Sequence, residues 1–119
     1  MATIFLVDDD ELILKSLARM LRRPGLTVHA FGSAQEVMER LAEAPDLLVS
    51  DYHLPGVDGL GLAALAKKAS PKVKTAILSG GVEDDRVAEA MGNGTLDRFL
   101  QKPWRQDELL ASLEELLRG

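Results

Sequence analysis

The sequence predicts an α/β domain built on a five-stranded parallel sheet. Two observations carry that prediction. Five short apolar or β-branched runs alternate with five stretches of helical periodicity. Such alternation implies parallel strands joined by right-handed helical crossovers that cover both faces of the sheet. In addition, the first, third and fourth runs read as apolar throughout, as strands buried on both faces should. The length of 119 residues suits one domain, and at 46% hydrophobic and 28% charged the composition is ordinary for a globular chain. Aromatics are only 4%, so the core must be aliphatic.

The elements follow in order. Residues 3–7 form a β-branched first strand. Residues 11–23 carry Ile13, Leu17, Met20 and Leu21 at helical spacing, and Pro24-Gly25 stops that helix. Residues 26–31 read as a second strand. Ser33 can cap a second helix with Val37, Met38 and Leu41 on its apolar face, broken by Pro45. The third strand, residues 46–50, contains the run Leu47, Leu48, Val49. The loop DYHLPGVDG follows, then a third helix over 60–69, ending before Pro71. Residues 73–78 are the fourth strand, SGGVEDD a loop, and 85–91 a short fourth helix. Residues 96–100 make the fifth strand. The last helix, 105–118, has Leu109, Leu110, Leu113, Leu116 and Leu117 as its core stripe.

Composition excludes several classes. The net charge of −5 argues against nucleic acid as a direct partner, because that binding draws on clustered positive charge. With no cysteine there are no disulfides or thiolate metal sites, which favours a cytoplasmic setting. No apolar stretch approaches the roughly 20 residues of a membrane span, and MATIFLV is too short for a signal peptide.

In open parallel sheets, ligands bind beyond the carboxyl ends of the strands, where the strand order reverses. The residues there are Asp8, Asp9 and Asp10, then Gly32, Asp51, Ser79, Gln101 and Lys102. Asp10 is the natural cap of the first helix. Each of the others has an ordinary explanation alone: a helix N-terminus for Asp8 and Asp9, a turn for Asp51, a loop serine, a solvated lysine. Their joint placement after different strands of one sheet points elsewhere. Carboxylates gathered at Asp8, Asp9 and Asp51 need a counter-charge, and a hard divalent cation such as Mg²⁺ takes oxygen ligands of this kind. Lys102 adds a point charge suited to a phosphate oxygen, and Ser79 a hydroxyl. Together they make a site for a phosphoryl group.

At this point the sequence resembles the receiver domain of bacterial two-component response regulators, over essentially its whole length. FLVDDDE resembles the acidic pair that opens these domains. LLVSDYHLPGVDGLGL resembles the phosphoacceptor loop, with Pro55 four and Gly59 eight positions after Asp51. AILSG resembles the strand ending in a Ser/Thr switch residue, and RFLQKPW the closing strand with its lysine-proline pair. The resemblance implies a flavodoxin-like doubly wound fold with strand order 2-1-3-4-5. It implies that Asp51 takes a phosphoryl group from a histidine kinase or a phosphotransfer protein. Asp9, Asp51 and the backbone carbonyl of His53 would bind Mg²⁺ directly, and Asp8 through a water. Lys102 and Ser79 would hold phosphoryl oxygens. Movement of Ser79 would let Phe99 rotate inward and change the surface of the fourth helix, fifth strand and fifth helix. The family is a phosphoacceptor with self-catalysed phosphorylation and dephosphorylation, not a conventional turnover enzyme.

Some features depart from the commonest pattern. His53 stands two positions after Asp51, and Gly80-Gly81 follow Ser79. GNGTLDRF, with RFLQKPW, is similar to receivers joined to HD-GYP phosphohydrolases or hybrid sensor kinases. His29 lies mid-strand and reads as structural. Residues 1–119 are expected to form one receiver domain with no output domain, either standing alone or cut from a larger regulator. Its partners would be the phosphodonor and a downstream protein or fused output domain. A phosphorylation-dependent dimer is compatible with the family, though no residue here specifies one. A haloacid-dehalogenase-type phosphatase would need an acid where His53 stands. The alternative within the fold is a pseudo-receiver, an interaction module that is not phosphorylated; such modules usually lack one of the acids or the lysine, and this chain has them all.

Overall fold

In the computed structural model, which describes residues 2–81 and 84–118, the strictly alternating side chains of the first strand divide the core in two. Ile4 and Leu6 of β1 (Ala2–Val7) face one layer, and Phe5 and Val7 the other. On the first face lie α1 (Glu11–Leu21) and α5 (Gln106–Arg118), through Leu14, Leu17, Leu109 and Leu113. On the second lie α2 (Ala34–Met38) and α3 (Gly59–Ala69), through Val37, Leu62 and Ala66. A third cluster joins α4 (Asp85–Gly92) to Tyr52, Leu60, Ile77 and Leu96.

The sheet has the order β2-β1-β3-β4-β5, and every pairing is parallel. Its other strands are β2 (Leu26–Phe31), β3 (Leu47–Asp51), β4 (Lys74–Ser79) and β5 (Arg98–Gln101). The three apolar runs are the interior strands β1, β3 and β4. The half-exposed β2 and β5 are the edges. The fold is therefore the flavodoxin-like doubly wound (βα)5 arrangement expected from the sequence, and the strand order reverses between β1 and β3.

Two expectations shift. The buried stripe of α1 is Leu14, Leu17, Ala18 and Leu21; Ile13 and Met20 flank it and are only partly covered. The apolar arc of this helix is wide, and its middle faces the sheet. The second helix is shorter than its apolar spacing suggests. It ends at Met38, and a 3₁₀ turn (Leu41–Glu43) follows. The departure places the Arg40 guanidinium 5.2 Å from the Phe31 ring centroid and 5.7 Å from that of Phe5, while Arg40 pairs with Glu43. This tertiary packing accompanies the break in the helical line. Within the SGGVEDD loop, Val82 and Glu83 lie outside the described residues.

Candidate functional site

Strand register builds the site. Val7 pairs with Ser50, so Asp8 follows β1 directly beside Asp51, the last residue of β3. One carboxylate oxygen from each of Asp8, Asp9 and Asp51 lies within 4.8 Å of the other two. Asp10 is turned to a different task, accepting the amides of Leu12 and Ile13 as the cap of α1. The three consecutive acids thus divide into two for the cluster and one for the helix.

The environments of the cluster differ. Asp8 is buried, only 4% exposed, and its Oδ1 accepts the Asp10 amide at 2.8 Å. Asp51 is half-buried, and its Oδ1 accepts the Tyr52 amide at 2.9 Å. Asp9 is exposed. Burial, the largest influence, pushes the Asp8 carboxyl above the usual aspartate range. The Asp10 amide opposes that, and the charge of Asp51 adds to it. Burial raises Asp51 likewise, with Lys102 pulling the other way. Three gathered carboxylates, two of them accepting main-chain amides and the third open to solvent, are costly to ionise together and fit a hard divalent cation.

Ser79 and Lys102 stand at the ends of β4 and β5, the next strands of the sheet. Ser79 ends β4 and is buried, with its Oγ accepting the Gly81 amide at 3.0 Å. Its carbonyl accepts the Lys102 amide at 2.7 Å, which ties the end of β4 to the chain leaving β5. Lys102 is half-buried, and its ammonium lies 5.6 Å from the centroid of the Trp104 ring. Phe99 pairs with Ile77 across β4 and β5 and is partly buried against the α4 cluster. His53 is exposed, its ring 4.9 Å from that of Tyr52, and its imidazole is not part of the acid cluster. His29 sits edge-on to Phe5, with Arg40 3.5 Å from its Nδ1, a structural setting.

Several residues escaped the sequence reading. Tyr52 and Arg86 tie the loop after Asp51 to the start of α4, through Asp84 and Asp58 respectively. Both acids cap helices: Asp58 accepts the Gly61 amide and Asp84 the Val87 amide. An aspartate directly before a helical stretch is a readable cap signal; the cross-pairing is not. Trp104 was visible in the motif RFLQKPW, but its stacking under Lys102 was not. No helix among the described residues is long and apolar enough to cross a membrane.

The profile of the response regulator receiver domain matches residues 4–114. The DNA-binding transcriptional regulator NtrC of Escherichia coli K12 is 36% identical over 115 residues, covering 96% of this chain and 24% of that protein. The uncharacterized transcriptional regulatory protein YesN of Bacillus subtilis is 33% identical over 121 residues, covering 98% of the chain and 33% of its own length. The chain thus spans about a quarter of the first of these relatives and a third of the second. The signal receiver domain of an HD domain-containing protein from Pseudomonas fluorescens Pf-5 superposes with a TM-score of 0.89 at 34% identity, covering 98% of this chain and 94% of that one.

Proposed function

Because this chain belongs to the response regulator receiver domain family, we propose that it receives a phosphoryl group on Asp51 from a histidine kinase or a histidine phosphotransfer protein. The observation that carries this reading is the convergence of Asp8, Asp9 and Asp51 at adjoining strand ends, with Ser79 and Lys102 at the next two. An Asp51 oxygen attacks phosphorus in line with the donor histidine. The new O–P bond forms as the N–P bond breaks, and the electron pair leaves with the imidazole nitrogen. Mg²⁺, held by Asp9, Asp51 and the His53 carbonyl and through water by Asp8, would neutralise charge on the attacking carboxylate and the phosphoryl oxygens. Lys102 would pair with one phosphoryl oxygen, and the Ser79 hydroxyl would move to donate to another. In this reading the chain accepts and later loses one phosphoryl group rather than turning over a substrate.

The readout would be a packing change. Ser79 leaving its bond with the Gly81 amide would open space beneath α4, and Phe99 would turn into it. The altered α4–β5–α5 surface would then act on a downstream protein or a fused output domain, in the cytoplasm. The regulator NtrC and the HD domain-containing relative are longer or multidomain proteins of that general kind.

The test is intact mass after incubation with acetyl phosphate, with and without Mg²⁺, beside Asp51→Asn. A single Mg²⁺-dependent phosphate adduct, absent in the variant, is expected. A protein that takes neither phosphate nor beryllofluoride would be a pseudo-receiver, and the proposal would fail.

A further inference from the structure

Lys102 follows β5 and is bonded through its amide to Ser79 of β4, the strand that pairs Leu78 with Asp51, so the lysine stands at a strand end neighbouring the acid cluster. Its charge pulls on both Asp8 and Asp51. Yet among the described residues it forms no ion pair with any acid. It rests instead 5.6 Å from the Trp104 ring centroid, within cation–π range. That ring is not a loose surface group. Trp104 is half-buried, packs against the α1–α5 core and lines one surface groove with Ile13 and Lys102. The main chain of Lys102 is anchored as well, through its amide bond to the Ser79 carbonyl. The side chain of Lys102 therefore has two competing attractors, an indole face within cation–π range and an acid cluster at the neighbouring strand ends.

We propose that Trp104 is a positioning residue that holds the Lys102 ammonium off the Asp8–Asp9–Asp51 cluster, keeping those oxygens free for a divalent cation. The inference rests on the cation site described above. Without the indole, the half-buried ammonium is left to partition between solvent and the carboxylates. It then becomes an internal competitor for the same oxygens, and an incoming cation must displace it. With the indole, Lys102 stays at the rim, where a phosphoryl group on Asp51 can draw it in. The ring thus separates the two cationic roles of the site, one in the cluster and one poised beside it.

The experiment is calorimetric titration of Mg²⁺ into the wild-type protein, Trp104→Leu, Trp104→Phe, Lys102→Met and the Lys102→Met/Trp104→Leu double variant. Trp104→Leu keeps an apolar side chain against the α1–α5 core and removes the π face, and circular dichroism is the check that it folds. Its Mg²⁺ affinity should fall by about threefold, the size of one partly exposed cation–π contact. Trp104→Phe keeps an aromatic face and should recover most of that loss. In the Lys102→Met background, Trp104→Leu should have no effect, because the competitor is gone. An equal loss in both backgrounds would show that Trp104 only shapes the fold, and no loss in either would show that it does not hold Lys102; both overturn the proposal. Absence of Mg²⁺ binding by the wild type would instead fault the cation site itself and take this inference with it.

Discussion

The Tyr52 hydroxyl donates a 2.9 Å hydrogen bond to Asp84, joining the residue after Asp51 to the cap of α4. A second tie runs beside it, from Arg86 in the first turn of α4 to Asp58, the cap of α3, also at 2.9 Å. Each acid serves a helix end and a cross-link at once. The Val87 amide and the Tyr52 hydroxyl hold Asp84 below the usual aspartate range, while burial and Asp84 push the Tyr52 phenol up. In Tyr52→Phe, amide exchange in the first turn of α4 should quicken several-fold, with β1 and β3 unaffected. Hydrogen-exchange mass spectrometry reads this, and unchanged protection at α4 would mean that the bond restrains nothing.

Gly59 should tolerate no side chain. A Cβ there would overlap the Asp51 carbonyl oxygen and lie 2.7 Å from Ile77 Cδ1. The requirement is close packing of α3 under the end of β3 rather than a left-handed backbone. Gly59→Ala should cost about 1–3 kcal/mol, the usual range for overpacking, measured by urea unfolding. Because the clash is with the main chain of Asp51, the proposed acceptor, the rate of adduct formation there should fall too.

Asp97 holds the far end of β4. Its Oδ2 accepts from Lys67 at 2.8 Å and from the Thr75 amide at 2.9 Å. Burial works against its charge, but Lys67 and that amide outweigh burial and keep its carboxyl below the usual range. A depressed folded value stabilises the protein above the ordinary aspartate pKa, and that contribution is lost as pH falls through the folded one. Asp97→Ala should therefore cost about 2 kcal/mol near neutrality and much less in acid, as chemical denaturation at two pH values would show.

The acid cluster has the opposite sign. Asp8 and Asp51 are raised by burial, so each favours folding below the ordinary aspartate value of about 3.9 and loses that benefit as pH rises through its folded value. Asp8→Asn should be more stable than wild type near pH 7, by about 1–3 kcal/mol. The gain should vanish in acid and shrink when Mg²⁺ is added. Equal stability of the two proteins at pH 7 would show that the carboxylates do not strain the apo fold.

Much of this was legible because it is local or periodic. Apolar runs marked β1, β3 and β4 as interior strands, and Asp10 and Ser33 announced the starts of α1 and α2. The cluster itself needed only the rule that places function at carboxyl strand ends. What stayed hidden depends on distant partners. Spacing alone extended the second helix past Met38, because the rings that Arg40 covers come from β1 and β2. The wide apolar arc of α1 gave no clue that Leu14 and Ala18, rather than Ile13 and Met20, would face the sheet. The Tyr52–Asp84 and Arg86–Asp58 pairs span 32 and 28 residues, and each member alone looks like a loop polar group.

The cluster draws its oxygens from chain segments 43 residues apart, brought level only by the pairing of Val7 with Ser50. Nothing in the disordered polypeptide resembles it. A cation held by these oxygens would therefore recognise the paired strands and, by mass action, shift the population toward them. A chain in which β1 and β3 have not met has no such cluster, so occupancy of these oxygens would report that this pairing has formed.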